Sequence, residues 1–280
     1  MQWAFRPTID CWSKVILEVL FGIVRFLKKI IVHAGFHKTG TTSIQSFLNR
    51  NRHVLRAADI DFYSGRYISN NHVELHAASM RDERMSSWKK ASGFRSSAMF
   101  PVIAAQIKEA IDASPCKTIL FSAEGISYLR FEDEIRRLHD LLGRRQTSII
   151  IYQRERSAWL ESFKAQLSTH IPFSTDKDAF NYVEPDTWLL DFETRIGAFQ
   201  KAFGAENVTV VDYDGEVTLQ GSVIPSFLSA IGARKVFHAA DWEGVWENKR
   251  QQSRISIATA VSPRLDHAVD NSRRRWQENP

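Results

Sequence analysis

Short apolar runs rich in Val and Ile recur along the chain, separated by longer stretches whose apolar residues fall three and four positions apart. The runs cover residues 30–34, 60–63, 118–121, 148–152 and 208–211. Their near-continuous Val and Ile content suits strands buried on both faces, since a strand with one wet face would alternate apolar with polar residues. Residues 42–50, 100–113, 131–142, 157–167, 188–203 and 224–231 carry the spacing of one buried helical face. Strands alternating with helices imply βαβ units, because parallel neighbours can be joined only by a long crossover, usually a helix. The expected fold class is α/β in three layers, a mostly parallel central sheet of about five strands flanked by helices.

The stretch 64–97 breaks this rhythm, being polar and irregular, with Asn70, Asn71 and His72 followed by Arg81 and Arg84. Loops at the carboxyl ends of such strands commonly shape an acceptor site. No internal repeat, low-complexity tract or long linker divides the chain, so one domain over residues 29–265 is expected. An N-terminal helical appendage, 1–28, precedes it, and an exposed tail, 266–280, follows. The apolar stretch 15–27 is interrupted by Glu18 and Arg25 and is too short, as a helix, to cross roughly 30 Å of hydrocarbon. No small-residue cleavage site follows it. Packing against the domain is the preferred reading, with peripheral contact to a membrane surface as the alternative.

Composition narrows the partner. With 37 Lys and Arg against 32 Asp and Glu, the net charge is +5, a mild bias toward anionic ligands. Nucleic-acid binders gather their basic residues into a dense stripe, whereas Arg136 with Arg137, Arg144 with Arg145 and the Arg273 group are scattered, so nucleic acid is not expected. A small, phosphate-rich molecule fits better. The two cysteines, Cys11 and Cys116, give neither a disulfide framework nor zinc spacing, which points to a reducing, cytoplasmic setting and to no metal.

The strongest chemical signal is Gly35-Phe36-His37-Lys38-Thr39-Gly40-Thr41-Thr42, placed between the first strand and the first helix. Glycines let the backbone turn so that amide N–H groups converge on an anion at a helix N-terminus, where the dipole also favours negative charge. Thr41 and Thr42 add hydroxyl donors. The pattern is similar to the phosphate loop GxxxxGK[ST], except that the lysine stands before the second glycine and threonine takes its usual place.

In this form the segment resembles the 5′-phosphosulfate loop of sulfotransferases that use 3′-phosphoadenosine-5′-phosphosulfate (PAPS). The resemblance implies a fold like that of the P-loop nucleotide hydrolases and PAPS as donor, bound by His37, Lys38, Thr39, Gly40, Thr41 and Thr42, with no metal. Lys38 would meet the oxygen that bridges phosphate and sulfate. The family's second motif, an arginine closing a strand and a serine eight residues later, matches Arg154 and Ser162, which would clamp the 3′-phosphate. Lys249 and Arg250 fall where a basic C-terminal loop of the family covers the nucleotide. The resemblance runs in order from about Lys29 to Arg254.

Sulfuryl transfer to a hydroxyl requires a base beside Lys38. Glu124, just past the run 118–121, sits on the strand edge that carries both phosphate motifs and is the first candidate. Its structural alternatives are to cap the next helix or to pair with an arginine. His72 and His76 are rivals, four residues apart and on one face if that stretch is helical. A weak metal pair lacks a third ligand of suitable spacing, and a solvated helix face is the plainer account. His33 reads as a hydrogen-bonded core histidine and His37 as a shaper of the loop.

Two other functions use the same residues. A P-loop kinase would cradle ATP on residues 35–42 with Glu124 near Mg²⁺, although the displaced lysine argues against it. A non-catalytic module would bind sulfated or phosphorylated polymers. The resemblance makes a carbohydrate hydroxyl the first expectation for the acceptor, with other hydroxyls or an amine open.

Overall fold

The structure of the protein is a computed structural model in which residues 28–242 are described. The apolar stretch 15–27, Lys249, Arg250 and the tail 266–280 lie outside the described residues. Strand β1 (Lys29–His33) runs through the loop 34–40 into α1 (Thr41–Arg50) and α2 (Arg52–Ala57), followed by β2 (Ile60–Phe62). Three helices, α3 (Val73–Ser79), α4 (Ser87–Ser92) and α5 (Ser96–Ala113), precede β3 (Thr118–Ser122). A 3₁₀ turn at Glu124–Tyr128 and α6 (Glu132–Leu141) lead to β4 (Thr147–Gln153) and α7 (Arg156–Leu167). Then come a 3₁₀ turn at Trp188–Leu190, α8 (Phe192–Phe203), β5 (Val208–Asp212), α9 (Tyr213–Gln220) and α10 (Ile224–Ala230).

The five strands form one parallel sheet in the order β2-β3-β1-β4-β5. Alternate side chains feed two cores. Ile30, Val32, Ile119, Phe121, Ile149 and Ile151 face α3, α5, α6, α7 and α8. Ile31, Leu120, Ile150 and Tyr152 face α1, α2 and α10 on the other side. That division explains the unbroken Val and Ile runs, because every position of a central strand meets an apolar layer. The expected three-layer α/β fold is what the chain adopts. Among the described residues no helix is long and apolar enough to cross a membrane.

Three stretches differ from expectation. The run 208–211, expected to be buried on both faces, forms the edge strand β5, in which only Val208 is buried, because an edge strand is not covered as a central one is. The irregular region 64–97 contains α3 and α4, of 7 and 6 residues, too short to display a periodic stripe. Every residue of α3 is buried, including Glu74, His76 and Ser79. The single helix expected over 188–203 is divided at Asp191, whose side chain accepts the Thr194 N–H at 3.2 Å and caps α8.

The sheet order prepares a site. Neighbouring strands β1 and β4 send their following helices to opposite faces, since α1 packs in one core and α7 in the other. A crevice opens where such connections part, at the carboxyl ends of the strands.

Candidate functional site

One wall of the crevice is the loop 34–40. Its first half prolongs the β1–β4 ladder, with Ala34 N–H donating to Ile150 O at 2.9 Å and Phe36 N–H to Tyr152 O at 3.4 Å. The Phe36 ring then stacks on Phe192 at 4.9 Å, and Thr39 Oγ1 donates back to Phe36 O at 2.5 Å. Against these anchors the chain reverses through two left-handed residues, Lys38 at φ 66° and Gly40 at φ 74°. Gly40 is required twice over, because a Cβ there would lie 2.9 Å from Val223 Cγ2. A lysine in this region costs about 1–2 kcal/mol, strain that the surrounding contacts hold in place. Gly40 is also the N-cap of α1 and offers no side-chain acceptor, nor is there an acidic residue in the first turn. The first N–H groups and the positive dipole end of a ten-residue helix therefore face the crevice without a side-chain cap or an acidic residue of their own turn, and the Glu124 carboxylate approaches this end through Thr41 Oγ1.

The two strand neighbours bring the charged groups. Glu124 follows β3 directly, and its Oε2 accepts a hydrogen bond from Thr41 Oγ1 at 2.6 Å. Lys38, half-buried in the loop, has its pKa pushed down by burial, pulled back by the nearby Glu124 carboxylate and pushed down again by Arg154. Arg154, just past the end of β4, donates from Nη1 to Lys38 O at 3.4 Å across the crevice. Its guanidinium lies 5.3 Å over the Tyr213 ring. Its Nε sits 3.5 Å from Asp214 Oδ1, an ion pair in which no hydrogen bond forms, so a buried N–H of the fork is left without an acceptor. Asp214 instead accepts the Glu155 N–H at 2.8 Å, and the Glu155 carboxylate caps α7 through the N–H groups of Ser157 and Ala158. Ser162 lies half-buried on the second turn of that helix.

The three loop threonines have separate tasks. Thr39 shapes the turn, Thr41 is buried against Glu124, and Thr42 stands exposed in the first turn of α1. His37 is buried behind the loop, stacked on Tyr128 at 4.4 Å, with Nδ1 bonded to Ser127 Oγ at 3.1 Å. Burial lowers its pKa, with Glu124 opposing that shift and Arg195 and Lys38 adding to it.

The other histidines are interior groups. His72 Nδ1 accepts the Ser122 N–H at 2.9 Å, which makes Nδ1 the unprotonated nitrogen. The His72 N–H in turn donates to Ser122 O at 2.9 Å. His33 Nδ1 pairs with Ser122 Oγ at 2.9 Å, an oxygen that also accepts from Gln45 Nε2 at 3.1 Å. His76 Nε2 pairs with Ser86 Oγ at 3.0 Å, and its ring packs so tightly on Gly125 that a Cβ there would lie 2.4 Å from Nδ1. Burial holds His33, His72 and His76 neutral, with pKa values lowered to about 3.

Lys38, Thr41, Glu124 and Arg154 thus meet at one crevice, and His72 and His76 are buried rather than solvated. Four contributors carried no sequence signal of their own: Ser122, Ser127, Tyr213 and Asp214. Arg195 did carry one, as the lone charge in the apolar stripe of Phe192, Phe199 and Phe203. It is fully buried, donates to Leu189 O at 2.6 Å and to Ser127 O, and stacks 4.2 Å from the Phe36 ring. Burial lowers its pKa to about 9. Among the described residues no group of three His, Cys, Asp or Glu is placed to hold a metal ion.

No family model matches the chain. An uncharacterized protein of Archaeoglobus fulgidus is 29% identical over 101 residues, which are 36% of this chain and 26% of that one, so the likeness spans about a quarter of the relative. Among solved structures, a sulfotransferase from Alicyclobacillus acidocaldarius aligns with a TM-score of 0.48 and 15% identity, over 74% of this chain and 82% of its own. The sulfotransferase domain from the curacin biosynthetic pathway aligns with a TM-score of 0.42 and 11% identity, over 80% of this chain and 78% of its own.

Proposed function

We propose that the protein is a sulfotransferase that moves a sulfuryl group from PAPS to an acceptor hydroxyl. The observation that carries the reading is the meeting, under the uncapped N-terminus of α1, of one cation and one carboxylate from different strands, with a second cation across the crevice. The donor brings an activated S–O bond whose cleavage leaves a phosphate oxygen bearing the electron pair.

The residues divide the remaining work. The α1 N–H groups and Thr42 hold the 5′-phosphate end. Lys38 stands where charge grows on the leaving oxygen, so its stabilisation increases along the reaction. Glu124 takes the acceptor's proton as the new S–O bond forms, its carboxylate oriented by Thr41. His72, its Nδ1 already accepting a backbone N–H, supports the end of β3. Arg154, with an N–H lacking an acceptor, and Ser162 clamp the 3′-phosphate. Outside the described residues, Lys249 and Arg250 would cover the nucleotide. The acceptor we favour is a carbohydrate hydroxyl.

Calorimetry with 3′-phosphoadenosine-5′-phosphate (PAP) against ATP with Mg²⁺ tests the reading. Tight PAP and weak ATP binding is expected. The reverse order would make the site a kinase's, and PAP binding without any PAPS-dependent transfer would leave a non-catalytic anion module.

A further inference from the structure

A second charged feature lies beyond the donor crevice. The segments 81–95, 130–131 and 174–181 enclose an open cleft of about 1020 Å³. At its centre three guanidinium groups crowd one ring: Arg81 at 4.0 Å, Arg130 at 4.8 Å and Arg84 at 5.1 Å from the Phe131 centroid. Two of them have partners rooted in α6. Arg81 grips both oxygens of Asp133 at 2.6 and 3.0 Å, and Arg84 pairs at 2.5 Å with Glu134, which is fully buried.

Arg130 differs. Its side chain is only 21% exposed, its Nε is buried without a hydrogen-bond partner, and among the described residues its guanidinium forms an ion pair with Asp178, which is 75% exposed on the opposite lip. An ion pair with so wet a partner is weak, because water screens the attraction, so an incoming anion can replace it. The surroundings favour that exchange. Lys90 and Arg95 stand exposed at the rim with no ion pair among the described residues. The cleft's other acids are Asp82, which accepts the Ser97 N–H and hydroxyl, Asp176, which accepts the Asp178 N–H, and the exposed Glu83, against which Arg130, Lys90 and Arg95 supply the positive charge. The rings of Phe94, Phe131 and Phe180 add apolar faces.

The cleft is also close to the chemistry. Phe180 meets the Tyr128 ring at 6.1 Å, and Tyr128 stacks at 4.4 Å on His37, the neighbour of Lys38. Arg84 additionally donates to Tyr128 O at 3.0 Å. One aromatic residue separates the cleft from the phosphate loop.

We propose that this cleft is an acceptor subsite that binds a carboxylate of an acidic saccharide, held by Arg130 in place of Asp178. The planar fork matches a carboxylate with two parallel hydrogen bonds, and the flanking rings suit the apolar faces of sugars in an open groove. The hydroxyl to be sulfated then lies further along the same acceptor, toward Glu124. This inference rests on the sulfotransferase reading for the word acceptor, not for the binding itself.

The test is calorimetry on the full chain with tetragalacturonate, its carboxyl-reduced neutral counterpart and tetraglutamate. The acidic saccharide should bind about ten- to a hundredfold more tightly than the neutral one, the yield of one bidentate charged contact. Arg130→Gln should abolish that preference, and Asp178→Asn, on the surface, should strengthen acidic binding severalfold by removing the internal competitor. Equal binding of acidic and neutral saccharide, no binding of either, or weakening by Asp178→Asn would overturn the proposal. Tetraglutamate binding as tightly as the saccharide would overturn the ligand class. PAP titrated into the same samples separates the two readings: a chain that shows this saccharide pattern but does not bind PAP keeps the subsite and loses the sulfotransferase.

Discussion

Thr41 and Glu124, 83 residues apart in sequence, share a 2.6 Å hydrogen bond in which the first hydroxyl of α1 donates to one oxygen of the carboxylate at the end of β3. The contact fixes the carboxylate's direction and ties the turn 34–40 to the proposed base, so that the proposed donor and acceptor groups share one corner. A base held by a single donor keeps its other oxygen for the acceptor's proton.

Replacing that carboxylate separates binding from chemistry. Glu124→Gln keeps the shape and should leave PAP affinity near the wild-type value while turnover falls roughly 10² to 10⁴-fold. Thr41→Val should cost up to about tenfold, the worth of one hydrogen bond, since it loosens the base without removing it. Single-turnover transfer and PAP titration on both variants are the measurements, and wild-type turnover in Glu124→Gln would assign the base elsewhere.

Lys38 should act on the transition state more than on the bound nucleotide, because charge accumulates on the leaving oxygen only as the S–O bond lengthens. Lys38→Ala should therefore lower kcat by more than it raises the Kd for PAP. Lys38→Arg should rescue in part, since a planar guanidinium replaces a compact ammonium in a left-handed turn. Lost affinity with unchanged chemistry at saturation would reduce Lys38 to an anchor.

Arg154→Ala should discriminate between nucleotides. A charge-assisted contact to the 3′-phosphate implies about a ten- to hundredfold loss for PAP and little change for the analogue lacking that phosphate. Comparable weakening of both would place Arg154 elsewhere than at the 3′-phosphate.

The buried histidines set an acid limit. His33, His72 and His76 remain neutral in the folded chain down to about pH 3, whereas their unfolded counterparts charge below about 6.5. Between those values the unfolded state binds more protons, so stability falls as pH falls, by up to about 1.4 kcal/mol per pH unit for each histidine. Urea midpoints at pH 7.5, 6 and 5 should decline, and His76→Gln should flatten the slope. A level profile would show that the imidazoles protonate without unfolding.

The sequence by itself determined the layers, the glycine-containing turn after β1 and the position of Arg154 past the end of β4. These are local matters where they held: the Ile-rich run of β4 declares a strand buried on both faces, although the Val-rich edge run 208–211 is largely exposed, and Gly35 and Gly40 declare a tight turn. Burial against the whole fold was not local. His72 and His76 had the polar neighbours of a surface stretch, yet α3 and its N-cap His72 are buried, where Ser122 and Ser86 engage the two imidazoles. Arg195 stood out in its stripe, but only the packing shows that its guanidinium ties Ser127 to the ring of Phe36 behind the loop. The pairing of Thr41 with Glu124 and the crossing of Arg154 to Lys38 were likewise decided in three dimensions. Each joins segments that follow different strands, and the sheet order that makes those strands neighbours follows from how two apolar layers close, information spread over the chain and held by no single motif.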